Sequence, residues 1–302
     1  MTVSTIATRT PSRFLIIAHL SIAGVDIEIG TDNRRLHDLI MRRYSRMANH
    51  EAPGPDTLKA FIMTRSGMPR VIMGAELIDP FERDQPNPTG KYSIQALEGR
   101  AMLAINQRVL SSRPELVVFH GAAISVRGRA AVLAGTSMAG KTTTALSLLA
   151  ADVQNAPLSD EFTIINTSTG TIESFPRLFS VRAGGRRLLG LTSLKASWPA
   201  FDPVGFLSRE WSQSADSAVF FFITGKATHP RVRKVTKAEA IFLAFSSTMD
   251  SLRLKSLGNL DIVDRIQTGL RDFDCYDLKI GPPAETAELI QSLTSASVKQ
   301  SA

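Results

Sequence analysis

Short apolar runs alternate with stretches of helical spacing along the first third of the chain. The apolar and β-branched runs predict strands at residues 14–22, 25–29, 58–64, 71–73 and 92–95. Apolar residues at every third or fourth position predict a helix that begins at Asp32 or Asn33 and ends near residue 47. A second helix is predicted from about residue 96 to residue 110. This mixture predicts a small α+β lobe over residues 13–112, after a disordered segment at residues 1–12.

After residue 112 the short apolar runs become more frequent and are separated by helical segments. Strands are predicted at residues 116–119, 122–126, 130–134, 162–166, 171–175, 178–182, 218–223 and 276–280. Helices are predicted at residues 143–151, 237–246, 261–268 and 284–293. Strands alternating with helices are typical of an α/β domain, which we place at residues 113–294, before a flexible tail at residues 295–302.

Composition narrows the classes of partner. The formal net charge is +7, which favours an acidic partner, but aromatic residues make up only 7% and no nucleic-acid motif occurs, so we expect no nucleic-acid partner. No apolar run is long enough to span a bilayer, and we expect no membrane association. A single cysteine, Cys275, excludes an internal disulfide and is typical of a cytoplasmic protein. The histidines lack the spacing of zinc ligands.

A phosphate-binding loop lies between the predicted strand at residues 130–134 and the predicted helix that follows. Glycines let successive backbone N–H groups converge on phosphate oxygens, and the positive end of the helix faces the same anion. Lys141 can reach the β- and γ-phosphates, and the Thr142 hydroxyl can ligate Mg²⁺. The candidate nucleotide-binding residues are Gly135, Thr136, Ser137, Met138, Ala139, Gly140, Lys141, Thr142 and Thr143.

Two carboxylates follow this loop and one histidine precedes it. Asp160 and Glu161 come after the next helix, at the expected start of the next strand, so the chain can bring them back to the phosphates. One of them can ligate Mg²⁺ while the other takes a proton from an acceptor hydroxyl. His120 ends a predicted strand and can face the transferred phosphate. A solvated acidic turn and a structural histidine are the alternative interpretations.

Basic residues follow the predicted hairpin. Arg177 lies before a predicted loop at residues 182–187, and Arg182 is the first residue of that loop. Both are candidate contacts for phosphate or an acidic substrate, because arginine donates two hydrogen bonds at once. A solvated basic surface is the alternative for each of them. The same alternative holds for Lys226, Arg231, Arg233, Lys234 and Lys237.

These motifs, in this order, resemble the catalytic domain of the HPr kinase/phosphorylase family. The resemblance rests on the His-Gly pair at residues 120–121, the loop at 135–142 and the Asp-Glu pair at 160–161, and it covers residues 115–293. It implies a P-loop kinase domain of the HPr kinase/phosphoenolpyruvate carboxykinase type that binds ATP and Mg²⁺. It also implies that Asp160 is the general base and that His120 lies in the active site. Divergent members of the family accompany peptide-modification enzymes, including lasso peptide pathways, where they phosphorylate a precursor serine.

The chain departs from that family at several positions. Met138 stands where the family commonly has glycine, and Glu161 stands where it has a second aspartate. The family's Glu-x-Arg-Gly signature is not reproduced, because Phe175 occupies the glutamate position before Arg177. The N-terminal lobe has no clear match to that of HPr kinase. The departures favour an acceptor other than HPr.

The leading hypothesis is therefore a serine kinase. We expect Asp160, His120 and Lys141 to be catalytic and Thr142, Asp160 and Glu161 to ligate Mg²⁺. The expected partner is a peptide or small protein with an acceptor serine, and a homo-oligomer is compatible with the family. A bifunctional HPr kinase/phosphorylase, a small-molecule kinase and a non-catalytic ATP-binding regulatory protein remain open.

Overall fold

The computed structural model describes residues 15–51, 53–64, 70–74, 76–78, 92–191, 200–204, 210–247 and 259–296. The chain divides into two compact units between residues 109 and 110. The predicted disordered segment at residues 1–12 lies outside the described residues. Residues 295 and 296 of the predicted tail belong to the last helix, and residues 297–302 lie outside the described part.

The first unit contains a five-stranded mixed sheet. Its strands lie in the order β1-β2-β3-β4-β5, with β2 and β3 parallel and the other neighbours antiparallel. In chain order the elements are β1 (Ile16–Ile22), β2 (Val25–Thr31), α1 (Arg34–Arg43), a 3₁₀ turn (Ser45–Met47), β3 (Leu58–Met63), β4 (Arg70–Met73), β5 (Glu76–Ile78) and α2 (Ile94–Ser111).

Local capping decides where the helices of this unit begin. The Asn33 side chain accepts the backbone N–H of Leu36 at 3.2 Å, which starts α1 as the sequence predicts. The predicted strand at residues 92–95 is wrong, because the Ser93 hydroxyl accepts the N–H of Ala96 at 3.1 Å and caps α2. That capping bond outweighs the β-propensity of Tyr92 and its neighbours. The sequence pattern does not predict strand β5, since most of its residues are exposed.

The second unit contains an eight-stranded mixed sheet in the order β12-β9-β8-β6-β7-β13-β15-β14. Strands β7, β13 and β15 are parallel to one another, and the other pairs are antiparallel. The elements are β6 (Leu116–Val126), β7 (Arg129–Ala134), α3 (Lys141–Ala151), β8 (Ala156–Asn166), β9 (Thr171–Glu173), β10 (Phe179–Ser180), α4 (Ala183–Leu188), β11 (Ala200–Phe201), β12 (Ser214–Ala215), β13 (Ala218–Lys226), β14 (Arg231–Lys234), α5 (Lys237–Phe245), α6 (Asn259–Leu270), β15 (Asp274–Ile280) and α7 (Pro283–Ala296).

Helices cover both faces of the central strands. Val132 of β7 packs in a core with residues of α5 and α6, whereas its neighbour Leu133 packs in a second core with residues of α3 and α7. Successive strand residues point to opposite faces, so strands buried on both sides are apolar almost throughout. The α/β class expected from the sequence is therefore confirmed.

Three predicted features of this unit are wrong in detail. The two strands predicted at residues 116–119 and 122–126 are one strand, β6, because His120 and Gly121 continue its pairing with β8. The acidic pair at residues 160–161 lies inside β8 rather than at its start. The basic segment at residues 182–187 is not a loop, since α4 begins at Ala183.

No helix in the described part of the chain is long and apolar enough to cross a membrane.

Candidate functional site

Strand register brings the separate motifs to one place in the second unit. Gly121 of β6 lies opposite Ala134, the last residue of β7, and on its other side lies opposite Glu161 of β8. The loop that leaves β7 at Gly135 therefore begins beside the His-Gly pair and the acidic pair. A Cβ atom on Gly121 would lie 2.9 Å from the Thr163 hydroxyl oxygen and 3.0 Å from the Leu133 carbonyl oxygen. The close packing of β6 against its two neighbouring strands therefore requires glycine at this position.

The phosphate-binding loop has backbone angles that only glycine adopts readily. Gly135 has φ 154° and Gly140 has φ 108°, and α3 begins immediately after Gly140. Met138 also has a positive φ, of 67°, and it is 77% exposed, so its side chain points into solvent. The loop thus leads directly into a helix N-terminus, which is the arrangement that binds phosphate.

Lys141 lies inside this loop. Its ammonium group donates to the carbonyl oxygens of Gly135 and Thr136, each at 2.8 Å, and the residue is 7% exposed. Burial lowers the pKa of Lys141 to about 8, although the charges of Asp160 and Glu161 oppose that change. A phosphate bound in the loop offers this ammonium group a stronger, charged acceptor than the two carbonyls.

Asp160 connects the loop helix to the neighbouring strands. Its Oδ1 accepts a hydrogen bond from the Thr142 hydroxyl at 2.9 Å, and its Oδ2 accepts one from the Ser180 backbone N–H at 3.0 Å. The residue is 2% exposed, and burial together with the charge of Glu161 raises its pKa from 3.8 to about 6. A carboxylate with this pKa is ionised near neutral pH and is a better proton acceptor than an exposed aspartate.

Glu161 has a strained backbone and a buried partner. Its φ is 76°, a conformation that costs a side-chain-bearing residue roughly 1–2 kcal/mol. Its carboxylate forms an ion pair with Arg177, which is 4% exposed. The structure therefore places the Arg177 guanidinium on Glu161, and its predicted contact with phosphate or substrate stays a prediction.

His120 and Arg182 complete the candidate site. His120 is half-buried, and burial followed by the charge of Lys141 lowers its pKa, which favours the neutral imidazole. Arg182 is exposed and immediately precedes α4, and its charge lowers the pKa of both His120 and Lys141. The positive charges of Arg182 and Lys141 thus act on the same region as the loop.

Two contributors to the site are not indicated by the motifs of the sequence. Ser180 acts through its backbone N–H, which carries no sequence signal. Gly185 of α4 lies so close to α3 that a Cβ atom there would be 2.7 Å from the Thr143 hydroxyl. The Gly184-Gly185 pair is the one signal that could have found this contact, since paired glycines indicate close approach of two backbones.

Mg²⁺ binding at this site depends on the oxygen atoms that the side chains beside the loop offer. No group of three or more histidine, cysteine, aspartate or glutamate side chains in the described ranges could hold a metal ion by itself. The Thr142 hydroxyl and the Asp160 carboxylate offer hard oxygen donors next to the phosphate loop. Mg²⁺ commonly takes one or two such protein ligands and completes its shell with water and substrate phosphate, so these residues fit Mg²⁺ bound with a nucleotide.

No profile of a known protein family matches the sequence, and no curated protein matches it significantly.

Proposed function

We propose that this protein is an ATP- and Mg²⁺-dependent kinase that transfers the γ-phosphate to a serine hydroxyl of a peptide or small protein. The proposal includes a P-loop kinase domain of the HPr kinase/phosphoenolpyruvate carboxykinase type in the second unit. The observation that carries it is the buried Asp160, hydrogen-bonded to Thr142 of the phosphate-loop helix at 2.9 Å, with its pKa raised to about 6.

A nucleotide fits the loop on three observations. The glycines with positive φ curve the backbone, the N-terminus of α3 follows directly, and the Lys141 ammonium group lies inside. Bound Mg²⁺–ATP supplies the transferable phosphoryl group and a metal charge that offsets the phosphate charge. Thr142 and Asp160 are the residues that would hold the metal, and Glu161 directly follows Asp160 in the chain.

The residues of the chain divide the remaining tasks. The loop N–H groups hold the phosphates, and Lys141 exchanges its carbonyl acceptors for phosphate oxygens. Asp160 accepts the proton of the acceptor serine as the serine oxygen forms its bond to phosphorus. The bond from phosphorus to the bridging oxygen breaks, and ADP leaves with that electron pair. His120 and Arg182 contribute a neutral hydrogen-bonding group and a positive charge beside the transferred group.

Phe175 bears on the bifunctional alternative. It stands where the kinase/phosphorylase family has a glutamate, and it is fully buried against Phe162, with ring centroids 5.0 Å apart. Glu173, the nearest carboxylate in sequence, accepts a hydrogen bond from Asn166 within the β8–β9 pairing. Neither residue supplies the missing signature carboxylate, so the forward kinase reaction is the one we propose.

The test is phosphoryl transfer to defined peptides. The purified protein is incubated with ATP, Mg²⁺ and serine-containing peptides encoded by neighbouring open reading frames, and mass spectrometry measures the addition of one phosphate. Asp160→Asn is expected to abolish transfer while nucleotide binding persists, and Lys141→Ala is expected to weaken both. Asp152→Asn, the same change at the end of α3, is expected to retain both activities.

Two outcomes separate the alternatives. Transfer by Asp160→Asn at the wild-type rate would show that Asp160 is not the general base. Tight ATP binding by the wild type, without transfer to any peptide and without ADP formation, would instead identify an ATP-binding regulatory protein.

A further inference from the structure

Strands β13 and β15 end beside the phosphate loop. Both run parallel to β7, so their carboxyl ends lie at the sheet edge from which the loop emerges. A Cβ atom on Gly135 would be 3.0 Å from the Ile223 carbonyl oxygen, and one on Gly140 would be 2.6 Å from the Ile280 Cδ1 atom. Residues that follow or flank Ile223 and Ile280 therefore lie at the rim of the candidate site.

Three exposed cations occupy this rim. Lys226 ends β13, Lys279 comes just before Ile280 in β15, and Arg231 begins the edge strand β14. We call these residues the rim cations. Arg231 lies directly opposite Lys279 in the antiparallel β14–β15 pairing. Like charges in directly opposed positions destabilise a sheet, so packing alone does not account for this pair.

Neighbouring cations on the same strands differ, because they have partners. Arg233, two residues beyond Arg231, pairs with Glu239 at 2.9 Å and with Asp277 at 3.6 Å. Lys234 pairs with Asp274 at 2.7 Å. Lys237 donates to the carbonyl oxygens of residues 270 and 273 at 3.0 and 2.7 Å. Within the described ranges, no acidic side chain pairs in this way with a rim cation.

The segment between β13 and β14 is held in place against β15. The Ala227 N–H donates to the Ile280 carbonyl oxygen at 2.8 Å. Pro230 packs so closely on Gly281 that a Cβ atom there would lie 2.6 Å from the proline nitrogen. The Nδ1 atom of His229 lies 2.9 Å from the Oε2 atom of Glu285. The backbone that carries Lys226 and Arg231 is thus preorganised, and the nearby Glu285 is already engaged.

We propose that two of the rim cations, Arg231 and Lys279, form a docking surface for an acidic segment of the phosphate acceptor. These two residues lie opposite each other on one face of the sheet, whereas Lys226 lies level with Ile280 and points to the other face. This proposal rests on the kinase function proposed above and adds a charge preference to it. In the sheet order, β15 and β14 lie four and five strands from β8, which carries Asp160. Neighbouring strands are about 4.8 Å apart, so this part of the rim is about 19–24 Å from Asp160 across the sheet. An extended peptide advances about 3.3 Å per residue, so the acidic residues recognised are about six to seven residues from the acceptor serine, on one side of it.

Labelled synthetic peptides test the surface. Each has one serine in a Gly/Ala background, with a pair of glutamates or a pair of lysines moved from nine residues before the serine to nine residues after it. Fluorescence anisotropy measures peptide binding without nucleotide, and mass spectrometry measures phosphorylation separately. Wild-type protein is expected to bind the glutamate peptides more tightly, with a maximum about six to seven residues to one side of the serine.

Charge-neutralising variants locate the preference. Lys279→Gln and Arg231→Gln are each expected to raise the dissociation constant of the best glutamate peptide roughly two- to fivefold, as for an exposed ion pair. The matched control is Arg127→Gln, which removes the same charge at the turn before β7, at the opposite end of that strand, and is expected to leave binding unchanged. Lys279→Gln also removes the like-charge pair, so urea unfolding is expected to show no loss of stability.

Each outcome decides one of the two proposals. Charge-dependent binding without phosphate transfer supports the docking surface and contradicts the kinase function. Transfer that is independent of glutamate position and of the variants supports the kinase function and overturns the docking surface. Variants that weaken ATP binding instead of peptide binding overturn it as well, because the cations then serve the nucleotide.

Discussion

Replacing Asp160 by asparagine is expected to stabilise the folded protein at neutral pH. The difference between the ordinary pKa of 3.8 and about 6 in the folded protein corresponds to roughly 3 kcal/mol. The folded-state pKa is raised, so the folded protein holds a proton that the unfolded chain has released. The free energy of unfolding therefore has its full value below about pH 4, where Asp160 is protonated in both states, and it falls as pH rises toward 6.

Asparagine carries no charge, so it removes the free-energy penalty of burying the ionised carboxylate of Asp160. It gives up less stability than this in lost hydrogen bonding. The amide oxygen can accept from either the Thr142 hydroxyl or the Ser180 N–H, and losing the other hydrogen bond costs about 1 kcal/mol. Asp160→Asn is therefore expected to be more stable than wild type by about 2 kcal/mol at pH 7.5. Near pH 4.5, where the folded wild type is largely protonated, it is expected to be equal or less stable.

Urea unfolding from pH 4.5 to pH 8, in EDTA and without nucleotide, measures this difference. The control is Asp152→Asn, because backbone bonding from Gln154 and hydrogen bonding from Arg127 lower the pKa of Asp152. Its sign is opposite: the stability that ionised Asp152 contributes is already present above about pH 4, so that variant is expected to be less stable than wild type by a nearly constant amount from pH 4.5 to pH 8. If Asp160→Asn is less stable than wild type by the same amount at every pH, the burial argument for Asp160 is incorrect. Added Mg²⁺ is expected to stabilise wild type more than the variant.

Three further predictions concern the second unit. Gly140→Ala is expected to lose more stability than Gly190→Ala, and to weaken nucleotide binding in a titration. Both glycines have a positive φ, but only a Cβ atom on Gly140 would meet another atom, Ile280 Cδ1 at 2.6 Å. Equal losses of stability in the two variants would contradict the role of this close contact. Arg177→Met is expected to cost roughly 1–2 kcal/mol in urea unfolding, because it removes a hydrogen-bonded ion pair whose glutamate is 36% exposed, with partial recovery when Glu161→Gln is added. Burial raises the pKa of Cys275 to about 11, so iodoacetamide at pH 8 is expected to modify it only after unfolding, as read by mass spectrometry.

Features that depend on contiguous residues are predicted well from the sequence. The phosphate loop, its preceding strand and its following helix occupy neighbouring positions, so local glycine and apolar patterns suffice to indicate where they lie. The Asn33 cap of α1 is equally local. The strand predicted at residues 92–95 is wrong because a capping bond from Ser93 competes with β-propensity, and periodicity alone does not weigh the two.

Features that depend on pairing between distant segments are not predictable in the same way. The order of strands around β6 determines that Gly121 lies between Ala134 and Glu161, and no local pattern specifies that register. The raised pKa of Asp160 requires burial and the nearby charge of Glu161, and both exist only in the folded sheet. The Ser180 N–H, which opposes the rise, reaches Asp160 only after β8 and β10 come together.

The basic residues show the same division. Their positive charge is evident from the sequence, but each one has the same two interpretations, a binding group or a solvated surface. Tertiary pairing separates them, because Arg177 reaches Glu161 and Lys234 reaches Asp274, whereas Arg231 lies opposite Lys279. The sequence by itself determined the position of the glycine-rich loop between β7 and α3 and the sign of the charge. The tertiary structure decided which charges are neutralised, since Coulomb energy depends on distances that only the folded sheet establishes.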